Sequence, residues 1–255
     1  MNIIFPMLGL GSRFKNAGFL IPKYLLNLAE EKILYFVLYG FRKLNKNKFI
    51  FLIRFDHTKY SPEKEIKRIC EILKIKNFKI IEVKKSTKGQ ADSVRLAFKY
   101  CERNDPILIF NIDTIHLGLN PVFNFKFDGM METFYAEGNH WSFAKVNSKN
   151  LIYEVQEKNR ISDNCSNGLY YFRNYQIFNY CYENLYEKIN NSHSLELQEN
   201  YIAPMYRILI DENKPIYNRS VDSKMILSAG VPSEYFDLCK RFKNKLELES
   251  LFHKY

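Results

Sequence analysis

Short apolar runs alternate with segments of helical spacing over the first half of the chain. Each run has the length of a buried strand and ends at glycines or polar residues. Strands that alternate with helices in this way are typical of a parallel sheet with crossover helices. The pattern predicts four such strands, at 2–8, 48–55, 78–83 and 106–113.

The segments between these runs predict helices. Residues 33–44 are apolar on nearly every side, and 91–101 repeat small and apolar residues at helical spacing. A third helix is expected to begin at Ser61 and Pro62, a favourable start, because the residues after them form one apolar face. That face holds Ile66, Ile69, Cys70 and Leu73.

The second half of the chain has a different pattern of apolar and polar residues. Short strand-like pieces predict an antiparallel extension, and helical patterns then return. Because no Pro/Gly/Ser linker interrupts the chain, we expect one domain over 1–255. The strand-like pieces are 131–136, 142–146, 151–155 and 168–172, and the helical ones are 175–189, 202–210 and the tail from about 233.

Composition narrows the class of protein. A chain of 255 residues with 46% apolar content can bury a sizeable core. It has neither an apolar run of the roughly 20 residues that span a bilayer nor a signal peptide, so we expect a cytoplasmic protein without a membrane partner. The five cysteines and five histidines are scattered, which predicts neither a disulfide framework nor a transition-metal site.

The formal charge of +10 fits either a nucleic-acid binder or a protein with small polyanionic substrates. The lysines are spread along the chain, and the tyrosines and phenylalanines mostly fall at core-like spacing instead of between lysines on one surface. We therefore expect no nucleic-acid partner.

The loop over residues 9–23 is the first candidate for chemistry. Gly9 and Gly11 let backbone N–H groups approach an anion, and Arg13 and Lys23 add full charges. Neither the dinucleotide fingerprint nor the Walker pattern is present. Because ligands bind where parallel strands end, this loop, "STKGQAD" at 86–92 and residues 111–113 should share one sheet edge.

The longer pattern identifies a family. "GLGSRF" (9–14), "AGF" (17–19) and "PK" (22–23) resemble the signature of the sugar-phosphate nucleotidyltransferases, or nucleotide-sugar pyrophosphorylases, in the branch that reads GSRF…AGY…PK. Further blocks resemble the same branch in the same order. They are "KGQADSVRLA", "FNIDT", "HWSFAKV", "EVQEKNRIS", "NGLYYF", "ENYIAPMY" and "AGVPSEY".

The resemblance implies an α/β, three-layer, Rossmann-like nucleotidyltransferase fold of the GT-A-like type, with a mostly parallel sheet. It also implies a nucleotide-binding half over 1–114 and an acceptor-binding half over 115–255. The expected partners are a nucleoside triphosphate and a small phosphorylated acceptor, with Mg²⁺ as cofactor. The assembly state stays open, with a homodimer among the options.

Site residues follow from the same resemblance. Arg13 and Lys23 are expected to be catalytic, and Asp113 to carry Mg²⁺. Many relatives have a second aspartate two residues before the glycine of Gly-Thr-Pro; here Ser228 holds that place, and Asp222 is the nearest candidate. Expected nucleotide contacts are Leu8, Gly9, Gly11, Ser12, Gly89, Gln90, Ala91 and Asn111; expected acceptor contacts are Trp141, Glu157, Lys158, Gly168, Glu199 and Tyr201.

Ordinary roles compete with these assignments. An arginine after a turn is often only solvated, an aspartate after a strand often caps a turn, and a single tryptophan is often a core residue.

Several functions remain open at this point. Likeness within the branch implies CTP as donor and L-glutamine phosphate as acceptor, for capsular polysaccharide phosphoramidate modification. A hexose or heptose 1-phosphate acceptor is the nearest alternative. A glycosyltransferase of similar fold usually has Asp-x-Asp, whereas residues 111–113 read Asn-Ile-Asp. A non-catalytic nucleotide- or RNA-binding relative is the remaining option.

Overall fold

The four predicted strands of the first half form a parallel block. The computed structural model describes residues 1–120, 126–187 and 199–255. β1 (Asn2–Met7) pairs in parallel with β4 (Lys48–Arg54) and β6 (Ile107–Ile109), and β4 pairs with β5 (Phe78–Val83). β6 is shorter than predicted because the chain leaves the sheet after Ile109, which frees residues 110–113 to form a loop.

The sheet continues into the second half of the chain. The additional strands are β8 (Gly129–Tyr135), β9 (Ser142–Val146), β10 (Leu151–Glu157), β11 (Asn164–Phe172) and β12 (Ile216–Ser220). The nine strands of the sheet lie in the order β5-β4-β1-β6-β11-β8-β12-β10-β9. Of the eight neighbouring pairs, four are parallel and four antiparallel, so the sheet is mixed and not mostly parallel.

Two short strand pairs lie outside the main sheet, and the pattern of apolar residues did not predict them. β2 (Asn27–Leu28) pairs with β3 (Glu31–Lys32), and β7 (Thr114–His116) pairs with β13 (Ile226–Ser228). Each strand has only two or three residues, too few to show an alternation.

Most helices are shorter than predicted because a 3-10 or π turn often takes over the last part, as at Arg42–Leu44, Phe98–Tyr100 and Glu183–Glu187. The end of the predicted 175–189 helix lies outside the described residues. The α-helices are α1 (Ser12–Asn16), α2 (Ile33–Gly40), α3 (Pro62–Ile72), α4 (Gln90–Arg95), α5 (Tyr175–Tyr182), α6 (Tyr206–Asp211), α7 (Pro232–Arg241) and α8 (Lys245–Leu251).

Helices cover both faces of the sheet. Alternate residues of β1 point to opposite sides, so Phe5 joins one buried cluster and Ile4 joins another. The first cluster packs against α2, α3, α7 and α8, and the second against α4, α5 and α6. Among the described residues no helix has the length and apolar character needed to cross a bilayer.

A buried ionic cluster joins β7 to the main sheet. The Glu132 carboxylate on β8 is 1% exposed and binds His116 Nε2 at 2.7 Å, the Arg219 guanidinium and the Asn167 amide at 2.6 Å. Burial raises the pKa of Glu132, but the charges and hydrogen bonds of these partners outweigh burial and lower it to about 2. Glu132 is therefore ionised in the interior.

Candidate active site

A cavity of about 810 Å³ opens at the carboxyl edge of the parallel block. The segments that follow β1, β4, β5 and β6 line it, as expected for ligand sites in open α/β sheets. The loop over 9–23, the segment over 86–92 and residues 111–113 thus meet in one place. Predicted residues that line it are Leu8, Gly9, Gly11, Lys23, Gly89, Gln90, Asn111, Asp113, Glu199 and Tyr201.

Aromatic packing holds the 9–23 loop in place. Gly11 adopts the left-handed conformation (φ +64°) that starts α1, and Phe14 on this helix is buried. The Phe19 ring packs against two rings of α7: its centroid lies 5.6 Å from that of Tyr235 and 5.7 Å from that of Phe236. These contacts dock the loop onto the C-terminal part of the chain and leave the backbone around Gly9 and Gly11 facing the cavity.

The Lys23 ammonium donates to the Asp113 carboxylate inside this cavity. The two side chains keep 24% and 20% of their exposure, so an incoming ligand can reach both. Lys23 follows Pro22, whose φ of −56° fixes the turn, and the Asp113 carbonyl accepts from Ala229 N at 2.8 Å. The loops that follow β1 and β6 therefore hold the Lys23 ammonium and the Asp113 carboxylate next to each other.

Asn111 is positioned by two predicted residues from distant parts of the chain. Its Oδ1 accepts from Gln90 Nε2 at 2.6 Å. Gly168, at a bulge of β11, makes room for the amide: a Cβ there would lie 2.2 Å from Asn111 Nδ2, and φ is +88°. Gly168 does not line the cavity; it acts on the site through Asn111.

We expect Gly168→Ala to displace the Asn111 amide and to cost about 1–3 kcal/mol of stability, because both the contact and the positive φ are unfavourable for alanine. Thermal unfolding and nucleotide titration would measure this. In the Asn111→Ala background the same substitution should cost less, since the clashing amide is gone. Equal costs in both backgrounds would contradict the assignment.

The segment over 88–92 is joined to residues 199–201 through the backbone. Ala91 N donates to Asn200 O and Asn200 N donates to Lys88 O, each at 2.9 Å. A Cβ on Gly89 would lie 2.4 Å from Asn200 N, so only glycine permits this approach. Ala91, a predicted nucleotide contact, is fully buried at this junction.

Predicted acceptor residues gather around the Tyr201 hydroxyl. It accepts from the Lys158 ammonium, which lies 4.5 Å from the Tyr201 ring centroid. Burial and a hydrogen bond to Glu199 raise the pKa of Tyr201. Burial also raises the pKa of Glu157, and the nearby Glu199 charge adds to that shift. Glu199 and Tyr201 line the cavity, and Lys158 and Glu157 lie beside them outside its lining.

Three further predicted residues lie outside the cavity lining. Ser12 and Arg13 are exposed on α1. The Arg13 charge opposes, as the smallest of several effects, the rise in the pKa of Tyr201. Trp141 packs edge-on against Phe134 at 5.2 Å, in the ordinary role of a partly buried aromatic residue.

The structure does not bring Asp222 to Asp113. Asp222 caps the 3-10 turn before β13, where its carboxylate accepts from Lys224 N at 2.9 Å, and Ser228 at the other end of β13 pairs with Thr114. Asp222 is therefore not placed beside Asp113 as a second metal carboxylate, in contrast to the expectation from the sequence. Among the described residues no three His, Cys, Asp or Glu side chains form a metal-binding cluster.

Sequence reasoning missed one wall of the cavity. Residues 54–57 and 59–60, from the last residue of β4 onwards, and residues 84 and 85, after β5, also line it. The sequence could have predicted this wall, because ligands bind at the carboxyl ends of parallel strands and β4 and β5 are such strands. It was overlooked because "RFDHTK" matches no nucleotide-binding motif.

Solved structures share this architecture. The nucleoside-diphosphate-sugar pyrophosphorylase from Vibrio cholerae RC9 is 33% identical, with 93% of this chain and 99% of that chain covered and a TM-score of 0.81. The inositol-1-phosphate CTP transferase from T. maritima is 14% identical (99% and 94% covered, TM-score 0.67). A putative glucose-1-phosphate thymidylyltransferase from Bacillus anthracis is also 14% identical (96% and 95% covered, TM-score 0.71).

The two more distant structures show a shared α/β fold, that of nucleotidyltransferases. The V. cholerae protein is similar over nearly the whole of both chains, and the chain therefore belongs to the nucleoside-diphosphate-sugar pyrophosphorylase family. No protein-family model and no curated protein matches the sequence.

Proposed function

We propose that this protein is a Mg²⁺-dependent CTP:phosphoglutamine cytidylyltransferase of capsular phosphoramidate synthesis. It transfers CMP from CTP to L-glutamine phosphate and releases pyrophosphate. One observation carries the reaction class: the Lys23 ammonium and the Asp113 carboxylate meet in a cavity that Gly9 and Gly11 also line. The 1–114 half holds the nucleotide and the 115–255 half contributes the acceptor residues.

The residues of this cavity support a direct displacement. An acceptor phosphate oxygen forms a bond to the α-phosphorus, and the bond from that phosphorus to the bridging oxygen of the β-phosphate breaks. The acceptor is already ionised, so no general base is needed. Lys23 stabilises the charge that develops on the α-phosphate, and the backbone N–H groups of the loop hold the phosphates behind it.

Asp113 fits Mg²⁺, which proteins usually hold by one or two carboxylates together with substrate phosphates. When bound, the ion neutralises phosphate charge and orients the triphosphate. Asp113 would supply the carboxylate that holds the ion, and Lys23 beside it would bind a phosphate oxygen.

We expect Asp113→Asn to raise the Mg²⁺ concentration for half-maximal activity at least tenfold or to abolish activity, because the amide is a far weaker cation ligand. Titrating Mg²⁺ in a pyrophosphate-release assay measures this. Asp222→Asn is the matched control and should leave the titration unchanged. An unaltered requirement in Asp113→Asn would contradict the assignment.

Charge around Tyr201 supports an amino-acid acceptor. A phosphorylated amino acid carries both an ammonium and a carboxylate, and Lys158 lies beside Glu157 and Glu199 to meet them. An unmodified hexose or heptose 1-phosphate carries no charged group besides its phosphate.

A sugar 1-phosphate acceptor is the second candidate, because the 33% identical relative is a nucleoside-diphosphate-sugar pyrophosphorylase. Pyrophosphate release is measured with CTP, UTP, GTP and dTTP, each paired with L-glutamine phosphate, a hexose 1-phosphate and a heptose 1-phosphate. Turnover restricted to CTP and glutamine phosphate supports the first candidate. A sugar phosphate as the better acceptor overturns it in favour of the second.

A further inference from the structure

A closed ring of hydrogen bonds forms around the Asp92 carboxylate on α4. Asp92 Oδ2 accepts from Lys88 N at 2.8 Å, and Asp92 Oδ1 accepts from Asn200 Nδ2 at 3.1 Å. Asn200 N donates to the Lys88 carbonyl at 2.9 Å, which completes the ring. One carboxylate therefore fixes both Lys88 and Asn200.

Tyr182 on α5 binds the same carboxylate. Its hydroxyl donates to Asp92 Oδ1 and accepts from Asn200 Nδ2 at 3.0 Å. Burial and the hydrogen bond to Asp92 raise the pKa of Tyr182 to about 12, so the hydroxyl keeps its proton at pH 7. The Arg95 guanidinium lies 4.2 Å from the centroid of the Tyr182 ring. Because Tyr182 and Asn200 are 6% and 5% exposed, little water competes for these hydrogen bonds.

Ser93, the next residue of α4, holds the other end of the same segment. Its hydroxyl donates to the Gly89 carbonyl at 2.9 Å, and its oxygen also lies 2.9 Å from Thr87 Oγ1. Two consecutive side chains of α4 thus anchor the backbone between residues 87 and 89. A short segment that is anchored at several points presents one geometry to a ligand.

The proposed displacement makes no use of Asp92, and Asp92 does not line the cavity. Its partners belong to segments that do line the cavity. Residues 88–90 are part of the lining, and so are Glu199 and Tyr201, which flank Asn200. Asp92 therefore influences the cavity through the two segments that it holds together.

We infer that Asp92 is a positioning residue, which fixes the segment over 88–91 in the geometry that selects the nucleobase. This inference rests on the proposed function: with the phosphates at Lys23 and Asp113, the segment over 88–91 meets the nucleoside. Backbone groups and the Gln90 amide can discriminate between bases only when they are held in one orientation. Asp92 supplies that rigidity from outside the cavity.

The test measures binding by calorimetry, without turnover, to wild-type protein and to Asp92→Asn. The ligands are CMP, UMP, GMP, dTMP and pyrophosphate. In Asp92→Asn an NH₂ group replaces one carboxylate oxygen, so at least one of the three donors loses its acceptor. We expect the mononucleotide that wild-type protein prefers to bind about tenfold more weakly, and its advantage over the other three to shrink. Pyrophosphate, which has no base, should bind with unchanged affinity.

Two variants of α5 form a matched pair. Tyr182→Phe removes only the hydroxyl that donates to Asp92, and it should weaken the preferred mononucleotide about threefold without changing the affinity for pyrophosphate. Tyr180→Phe removes a hydroxyl that donates to Glu212, and it should change none of the affinities. If Asp92→Asn does not fold, the comparison of Tyr182→Phe with Tyr180→Phe decides the result.

Unchanged mononucleotide affinity in the folded variants overturns the role of Asp92, even if wild-type protein turns over CTP. An equal loss of mononucleotide and pyrophosphate affinity also overturns it, because that result indicates a general loss of structure. If wild-type protein prefers a mononucleotide other than CMP and the variants weaken that ligand but not pyrophosphate, the role of Asp92 stands and the proposed donor fails. Wild-type protein that binds no mononucleotide overturns both.

Discussion

Lys23→Ala is expected to lower kcat/KM by roughly two to four powers of ten, the range seen when a charge-stabilising group is removed from an active site. Lys23 is the one predicted cation that shares the described cavity with Asp113. Its loss removes positive charge from the α-phosphate and leaves the Asp113 carboxylate without its partner. Steady-state pyrophosphate release by the purified variant measures the effect.

Two comparisons make this result specific. Lys46→Ala removes an exposed lysine outside the cavity and should keep wild-type kinetics. Lys23→Arg keeps the charge but not the shape of the ammonium, so it should recover only part of the lost activity. A folded Lys23→Ala protein with near-normal kcat/KM would refute the role of Lys23 and, with it, the proposed reaction.

Glu132→Gln is expected to lower the free energy of unfolding by about 3–5 kcal/mol, because it leaves the buried Arg219 guanidinium without its carboxylate and removes the oxygen that binds His116 Nε2. For a chain of this size the melting temperature should fall by roughly 6–20 °C. Glu154→Gln is the control: Glu154 pairs with Lys145 on the surface, and its substitution should leave the free energy of unfolding nearly unchanged.

Acid titration gives the Glu132 prediction a second readout. The folded pKa of about 2 lies below the ordinary value of 4.5. The carboxylate therefore contributes its stability above pH 4.5 and loses it as the pH falls towards 2. Between these limits the wild-type protein should lose stability more steeply than Glu132→Gln. Parallel curves would show that the carboxylate titrates alike in the folded and unfolded chain.

The sequence predicts a strand correctly where its pattern of apolar residues matches the burial of that strand in the fold. The runs that became β1 and β4 are apolar on both faces, as strands between two helical layers must be. β12 was missed because "IYNRS" has only two apolar residues and the second buried position is the polar Asn218, so the sequence does not show the alternation in burial. The antiparallel share of the sheet was underestimated because strand order depends on long-range pairing.

The candidate site was also predicted only in part. Motif resemblance located Lys23, Asp113, Gln90 and Asn111, which the cavity brings together. It could not locate the wall after β4, where no motif exists, or predict that Asp222 would cap a turn. It also gave Gly168 a direct contact, whereas the backbone uses Gly168 to seat the Asn111 amide. A motif names residue types, but side-chain direction depends on packing.

The backbone junction between Gly89 and Asn200 bears on how such proteins diverge. Main-chain hydrogen bonds join the segment proposed to bind the donor to the segment proposed to bind the acceptor, so the spacing between these segments does not depend on the identity of most side chains there. Neighbouring positions such as Lys88, Glu199 and Tyr201 can then exchange residues and alter which molecules are accepted. In the proposed reaction the distance between donor and acceptor would then stay constant, and substrate specificity could change without a change in the fold.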